Sequence, residues 1–176
     1  PKPWATTGKT PDRARNIIAS LFIQPEKMEQ INTRLQRKYK EIQDHEVRYE
    51  LVGGDDAEIL VVAYGLSARV AHRAVEIARQ HGVSVGLLRP ITLFPYPSAV
   101  LQSLAAQVKG ILVVEMNSGQ MVEDVRLAIE GRVPVKFYGR MGGVIPTPEE
   151  VFERIVNYKE ELSNVQNVES YQSMIV

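Results

Sequence analysis

The spacing of apolar and polar positions changes several times along the chain, and each change marks an element. After Gly110, the run Ile111-Leu112-Val113-Val114 is continuously apolar and ends at Glu115. The polar stretch Asn117-Ser118-Gly119-Gln120 interrupts it, and Met121, Val122, Val125, Ala128 and Ile129 then return at helical steps. This predicts a strand, a turn and a helix, and an unbroken Val/Ile/Leu strand suits a parallel sheet covered by helices on both faces. The pattern recurs. Ile59 to Tyr64 reads as a strand, Gly65-Leu66-Ser67 as a tight turn, and Val70, Ala71, Ala74, Val75, Ile77 and Ala78 as a helix stopped by His81-Gly82. Val83 to Leu88 reads as the next strand. Arg89-Pro90 opens a loop carrying Pro95 and Pro97, and the helix containing Val100, Leu101, Leu104 and Ala105 leads back to Ile111. Val133 to Tyr138 is a further strand, followed by Gly139-Arg140-Met141-Gly142-Gly143. Thr147-Pro148-Glu149-Glu150 is a capping box with proline at the first helical position, which predicts a helix from Pro148 to about Leu162.

Upstream the periods differ. Residues 1–24 read as an irregular linker in which Trp4 anchors the arm to a neighbouring surface. From Pro25, the residues Met28, Ile31, Leu35, Tyr39 and Ile42 step by three or four among charged neighbours, predicting an amphipathic helix that ends near Asp44. Val47, Tyr49 and Leu51 alternate with Arg48 and Glu50 as an edge strand with one wet face would, and Gly53-Gly54-Asp55-Asp56 closes it. The expected organisation is therefore a linker arm and amphipathic helix over 1–46, an α/β domain over 47–162 and a polar C-terminal tail over 163–176. Alternating strands and helices with short turns imply right-handed crossovers and a three-layer α/β/α arrangement.

Composition narrows the chemistry. Of 176 residues, 44% are hydrophobic, enough for a substantial core, and 21 basic residues balance 21 acidic ones, which gives no sign of a nucleic-acid groove or an anionic membrane surface. The absence of cysteine rules out disulfides, thiolate zinc sites, cysteine-ligated iron–sulfur clusters and a cysteine nucleophile within these residues. No apolar run is long enough to span a bilayer, and the expected location is cytoplasmic. The sequence opens at Pro1 without methionine and reads as a piece of a longer chain.

The candidate site lies where the strands end, because open α/β sheets place ligands or partners at the carboxyl ends of their strands. Glu115 follows a buried strand directly, so its carboxylate needs donors, which the neighbouring backbone and Asn117 can supply. Gly65, Ser67, Arg89, Asn117, Gly119 and Gln120 complete the candidate switch-point or interface set, with Ser67 placed to cap the helix that follows it. Tyr64-Gly65-Leu66-Ser67 has neither the dinucleotide-binding glycine spacing nor the phosphate-loop lysine. A serine hydrolase is disfavoured because none of His45, His72 and His81 falls at a strand's carboxyl end. His72 has no metal-spaced partner, and the glycine-rich loop around Arg140 reads as a flexible connection. No catalytic, cofactor-binding or metal-binding residue is assigned.

The runs DAEILVVAYGLSARVA, VGLLRPITLFPYP and ILVVEMNSGQM and the GGVIPTPEE ending resemble the C-terminal part of the α subunit of 2-oxoacid:ferredoxin oxidoreductases, of the 2-oxoglutarate or branched-chain type. The resemblance covers about Trp4 to Ile155, and its most specific pieces are Arg89-Pro90 to Pro97 and Glu115-x-Asn117-x-Gly119-Gln120. It implies a domain like the C-terminal domain of transketolase, with a five-stranded, mostly parallel sheet in the order 1-3-2-4-5 and strand 1 antiparallel. It further implies a complete complex that carries thiamine diphosphate, magnesium and iron–sulfur clusters and converts a 2-oxoacid and coenzyme A to acyl-CoA, carbon dioxide and reduced ferredoxin. The implied partners are the other domain of the α subunit, the β subunit and, through the complex, ferredoxin. Self-association through the apolar surface of the arm is expected of the piece, as is inactivity on its own, and neither nucleic acid nor a membrane is an expected partner. The alternative from the residues alone is a stand-alone regulatory or binding module that holds a small anion at the switch point, between Gly65 and Asn117.

Overall fold

The computed structural model describes residues 5, 8, 10–14, 17 and 20–174, with side chains described as far as Asn164. Trp4 lies outside the described residues. The chain divides into two compact units, Pro1–Glu41 and Ile42–Val176. The helix α1 (Pro25–His45) begins in the first and forms as its spacing predicts; none of its residues is buried. Ile17, Leu21 and Ile23 in the first unit are exposed.

The second unit is built on one five-stranded sheet. In chain order it contains β1 (Tyr49–Val52), β2 (Ile59–Ala63), α2 (Gly65–Gln80), β3 (Val85–Pro90), α3 (Ser98–Ala105), β4 (Gly110–Glu115), α4 (Met121–Ile129), β5 (Val135–Gly139) and α5 (Pro148–Met174). The strand order is β1-β3-β2-β4-β5, with β1 antiparallel at one edge and the remaining pairs parallel. The continuous apolar runs have a clear use, because successive side chains in a strand point to opposite faces. Ile59, Val61, Ala63, Val85, Leu87, Leu112 and Val114 face α2 and α5, where they pack on Ala71, Ala74, Val75, Val151 and Ile155. Leu60, Val62, Leu88, Ile111 and Val113 enter the opposite core with Leu101, Leu104, Met121, Val125 and Ile129 of α3 and α4. Every residue of β2 and β4 is buried. The edge strand β1 carries the alternating sequence, and its first three residues are exposed.

Several boundaries differ from the sequence reading. Ser67 does not cap α2. Gly65 takes a left-handed φ of 56°, so the chain turns immediately after β2 and the helix starts at Gly65. Ser67 is thereby inside the first turn and buried, and the N-terminus of α2 has no side-chain cap. β3 continues through Arg89 and Pro90, since Pro90 sits at the strand's end, where its missing N–H removes no interior ladder bond. The last strand starts at Val135, after Pro134. α5 does not stop near Leu162 but runs to Met174, and no glycine or proline interrupts residues 163–174.

The capping box at the start of α5 forms in both directions. The Thr147 amide donates to Glu150 Oε2 at 3.0 Å and the Glu150 amide donates to Thr147 Oγ1 at 3.2 Å. The Thr147 amide first, then the Tyr138 hydroxyl and the Arg140 guanidinium, hold the Glu150 carboxyl below its ordinary value. A lowered folded-state value stabilises the fold above the ordinary carboxylate range, and the contribution disappears as the pH falls through the lowered value. Thr147→Ala is expected to cost about 1 kcal/mol in a urea melt at neutral pH. The Thr147 amide that holds the Glu150 carboxylate survives that substitution, so the pH dependence is carried by Glu150→Gln, whose difference from wild type should shrink on acidification. An undiminished difference below the titration of Glu150 would contradict the coupling.

Candidate functional site

The turn between β4 and α4 is built around Glu115. This side chain is fully buried at the end of β4 and all its polar contacts point along the chain that follows it. Its Oε1 accepts the Val122 amide at 2.9 Å. Its Oε2 accepts the amides of Met121 at 2.9 Å and Gln120 at 3.3 Å and the Asn117 Nδ2 group at 3.0 Å. The first amides of a helix have no partner within it, and Gln120 at the N-cap provides no side-chain acceptor for α4. Glu115 therefore caps the helix from the preceding strand, with its negative end at the positive end of the helix dipole.

Asn117 completes the turn. Its Oδ1 accepts the Gly119 amide at 2.7 Å, while Gly119 takes a φ of 107° that a side chain would resist. Asn117 Nδ2 also approaches the Tyr64 hydroxyl at 3.5 Å, the outer limit of hydrogen bonding, so a side chain from the end of β2 reaches the turn after β4 across the switch point. On the other flank the Arg140 amide donates to the Glu115 carbonyl at 3.2 Å. Gly139 lies against the same turn, because a methyl group there would run into the Asn117 carbonyl oxygen and the Phe137 ring.

The structure thus gathers Glu115, Asn117, Gly119 and Gln120, with Gly65 in the neighbouring β2–α2 turn. It does not bring Arg89 to them. Arg89 lies on β3, pairs with Glu50 of β1 at 2.8 Å and lines a cavity beside α2. Ser67 is buried and makes no cap. Arg140 is engaged as well, its guanidinium meeting Glu150 at 2.8 Å, so the glycine-rich loop is tied to the start of α5. Tyr64, Phe137 and Tyr96 belong to the surroundings of the turn and were not singled out by spacing. The Tyr96 hydroxyl is buried without a hydrogen-bond partner among the described residues, and burial, followed by the charges of Asp124 and Glu115, pushes its pKa up. The only sequence signal for Tyr64 is its place directly after an apolar strand and before a glycine.

Side chains with exposed apolar surface are concentrated on the connections that leave this end of the sheet. Leu66 follows β2, Ile91, Leu93 and Phe94 follow β3, and Met141, Val144 and Ile145 follow β5. Among the described residues no cluster of histidine and acidic side chains is arranged to hold a metal ion. The sequence has no cysteine to ligate an iron–sulfur cluster. No helix among the described residues is long and apolar enough to cross a membrane.

The sheet order with its antiparallel first strand, the helices on both faces and the polar turn at the switch point define a layered α/β domain. The model of the pyruvate:ferredoxin oxidoreductase core domain II matches residues 57–151, and the chain belongs to that family. Ketoisovalerate oxidoreductase subunit VorB of Methanothermobacter thermautotrophicus is 47% identical over 152 residues, which cover 86% of this chain and 43% of that protein. The 2-oxoglutarate synthase subunit KorA of Methanothermobacter marburgensis is 34% identical over 153 residues, covering 87% of this chain and 40% of that one. The chain therefore spans less than half the length of these curated relatives. Among solved structures, the 2-oxoglutarate:ferredoxin oxidoreductase from Magnetococcus marinus, with 2-oxoglutarate, coenzyme A and succinyl-CoA bound, superimposes with a TM-score of 0.68. The match covers 80% of this chain and 24% of that one at 24% identity, and it supports the fold. Membership of this family favours an enzyme domain over a stand-alone module.

Proposed function

We propose that this chain is the core-domain-II portion of an α subunit of a 2-oxoacid:ferredoxin oxidoreductase, and that it supports assembly of the catalytic complex. The complete enzyme would oxidatively decarboxylate a 2-oxoacid with coenzyme A to give acyl-CoA, carbon dioxide and reduced ferredoxin. Thiamine diphosphate, magnesium and the clusters would reside on other domains and subunits, and the sequence has no cysteine to ligate a cluster. The observation that carries the reading is the rigid turn at Asn117 to Gln120, held by a buried carboxylate and surrounded by exposed apolar residues at the carboxyl edge of the sheet. Apolar surface of this kind marks a docking face. The rest of the α subunit and the β subunit are the partners it suits.

Gln120 separates docking from folding, because its side chain is exposed and only its backbone amide takes part in the Glu115 cap. Gln120→Ala in the isolated chain should change stability by less than about 0.5 kcal/mol. In the full-length subunit coexpressed with its partner, the same substitution should lower recovered complex or 2-oxoacid-dependent ferredoxin reduction by about fivefold, as expected for a contact worth roughly 1 kcal/mol. Unchanged assembly and unchanged turnover would together remove this role from the turn.

A further inference from the structure

We propose that a cavity between α2 and the β1/β3 edge is a binding site for a phosphate-class oxyanion, held between Arg69 and Arg89 with His72 beside them. This site is separate from the turn after β4, and it does not depend on the assembly reading. The topology creates it. Glu50 pairs with Arg89 and Val52 with Leu87 across β1 and β3, so these side chains share the sheet face that α2 covers. Arg69 and His72 are three residues apart and therefore lie on the same side of α2. The cavity they line with Glu50, Val52, Leu87 and Arg89 has a volume of about 270 Å³. Drug-sized ligands occupy pockets of roughly 300–1,000 Å³, so this volume suits a small ion or the end of a larger molecule.

The lining is selective in charge. Arg69 makes no hydrogen bond or ion pair among the described residues. Arg89 is only partly satisfied: one guanidinium nitrogen meets Glu50, while its Nε is buried and has no partner among the described residues. A guanidinium presents a planar fork of N–H donors suited to phosphate oxygens, and the Glu50 pair leaves most of that fork unused. An oxyanion in the cavity gives the Arg89 Nε an acceptor and gives Arg69 a partner. Glu50 opposes it. The Arg89–Glu50 pair is substantially exposed, however, with side chains 40% and 54% accessible, and such pairs hold weakly enough to open or shift. His72 faces Glu76 at 3.6 Å, and Glu76 is also bonded to Arg73, so this second carboxylate is already occupied.

The test uses the 176-residue chain titrated with inorganic phosphate at constant ionic strength, followed by calorimetry and by the arginine Nε–H signals in nitrogen-15 spectra. Saturable binding is expected, with movement of the Arg89 Nε–H signal. Arg69→Gln, which removes a charge without a structural partner, should weaken binding about fivefold to tenfold, and Glu50→Gln should strengthen it about threefold, in line with the strength of charge-assisted hydrogen bonds. A parallel titration with methyl phosphate separates the two sources of this chemistry. Equal binding assigns the site to the end of a phosphate monoester, whereas binding of inorganic phosphate alone assigns it to the free ion. The proposal is overturned by an absence of saturable binding, by an equal response to chloride or acetate, or by an Arg69→Gln chain that binds phosphate as wild type does.

Discussion

Glu115→Ala is expected to destabilise the chain by about 3 kcal/mol, the largest effect of any single substitution in the site. The truncation removes the acceptor for the amides of Gln120, Met121 and Val122 and for the Asn117 side chain in one step. The Met121 and Val122 bonds are buried, so water cannot readily replace the lost partner. A buried donor left without an acceptor costs roughly 1–3 kcal/mol, and the local relaxation of α4 limits the sum. Glu115→Gln should recover only part of the loss, because its amide nitrogen would face donors where an oxygen now accepts. Urea melts of the isolated chain measure both variants. If Glu115→Ala melts within about 0.5 kcal/mol of wild type, the carboxylate does not organise the turn.

Gly139→Ala is expected to cost about 2 kcal/mol through crowding, and to do so by disturbing the same turn from its other side. The added methyl group would meet the Asn117 carbonyl oxygen and would come within 2.5 Å of the Phe137 ring. Backbone cannot swing aside as a long side chain can, and overpacking of this kind typically costs roughly 1–3 kcal/mol. Gly139 also belongs to the β4–β5 ladder, where it is the register partner of Glu115. The loss should therefore appear both in a urea melt and as shifted amide resonances from Asn117 to Met121. A melt unchanged by the substitution, with those resonances in place, would mean that the close approach relaxes at no cost. Combining Gly139→Ala with Glu115→Ala should give less than the sum of the two losses, since both act on one turn.

The sequence alone determined the parts of this protein that depend on local pattern. The apolar runs at Ile59–Ala63 and Gly110–Glu115 specified strands buried on both faces, because a strand with polar positions on either side could not satisfy two helical layers. The alternation around Tyr49 to Leu51 specified an edge, and Thr147 to Glu150 specified a helix start, because each rule operates over a few residues. The need of Glu115 for donors was also legible, since a carboxylate directly after a buried strand must find them nearby. Tertiary structure decided what chain separation conceals. It alone set Arg89 against Glu50, 39 residues away, and placed both across a cavity from Arg69 and His72. It alone brought Tyr64 to Asn117 across 53 residues and laid Gly139 on the Asn117 carbonyl. It also moved Ser67 from a cap into the first turn of α2, since the left-handed Gly65 starts the helix three residues earlier than a Ser67 cap implied. These pairings follow from strand order and register, which fix distances between residues that no local period relates.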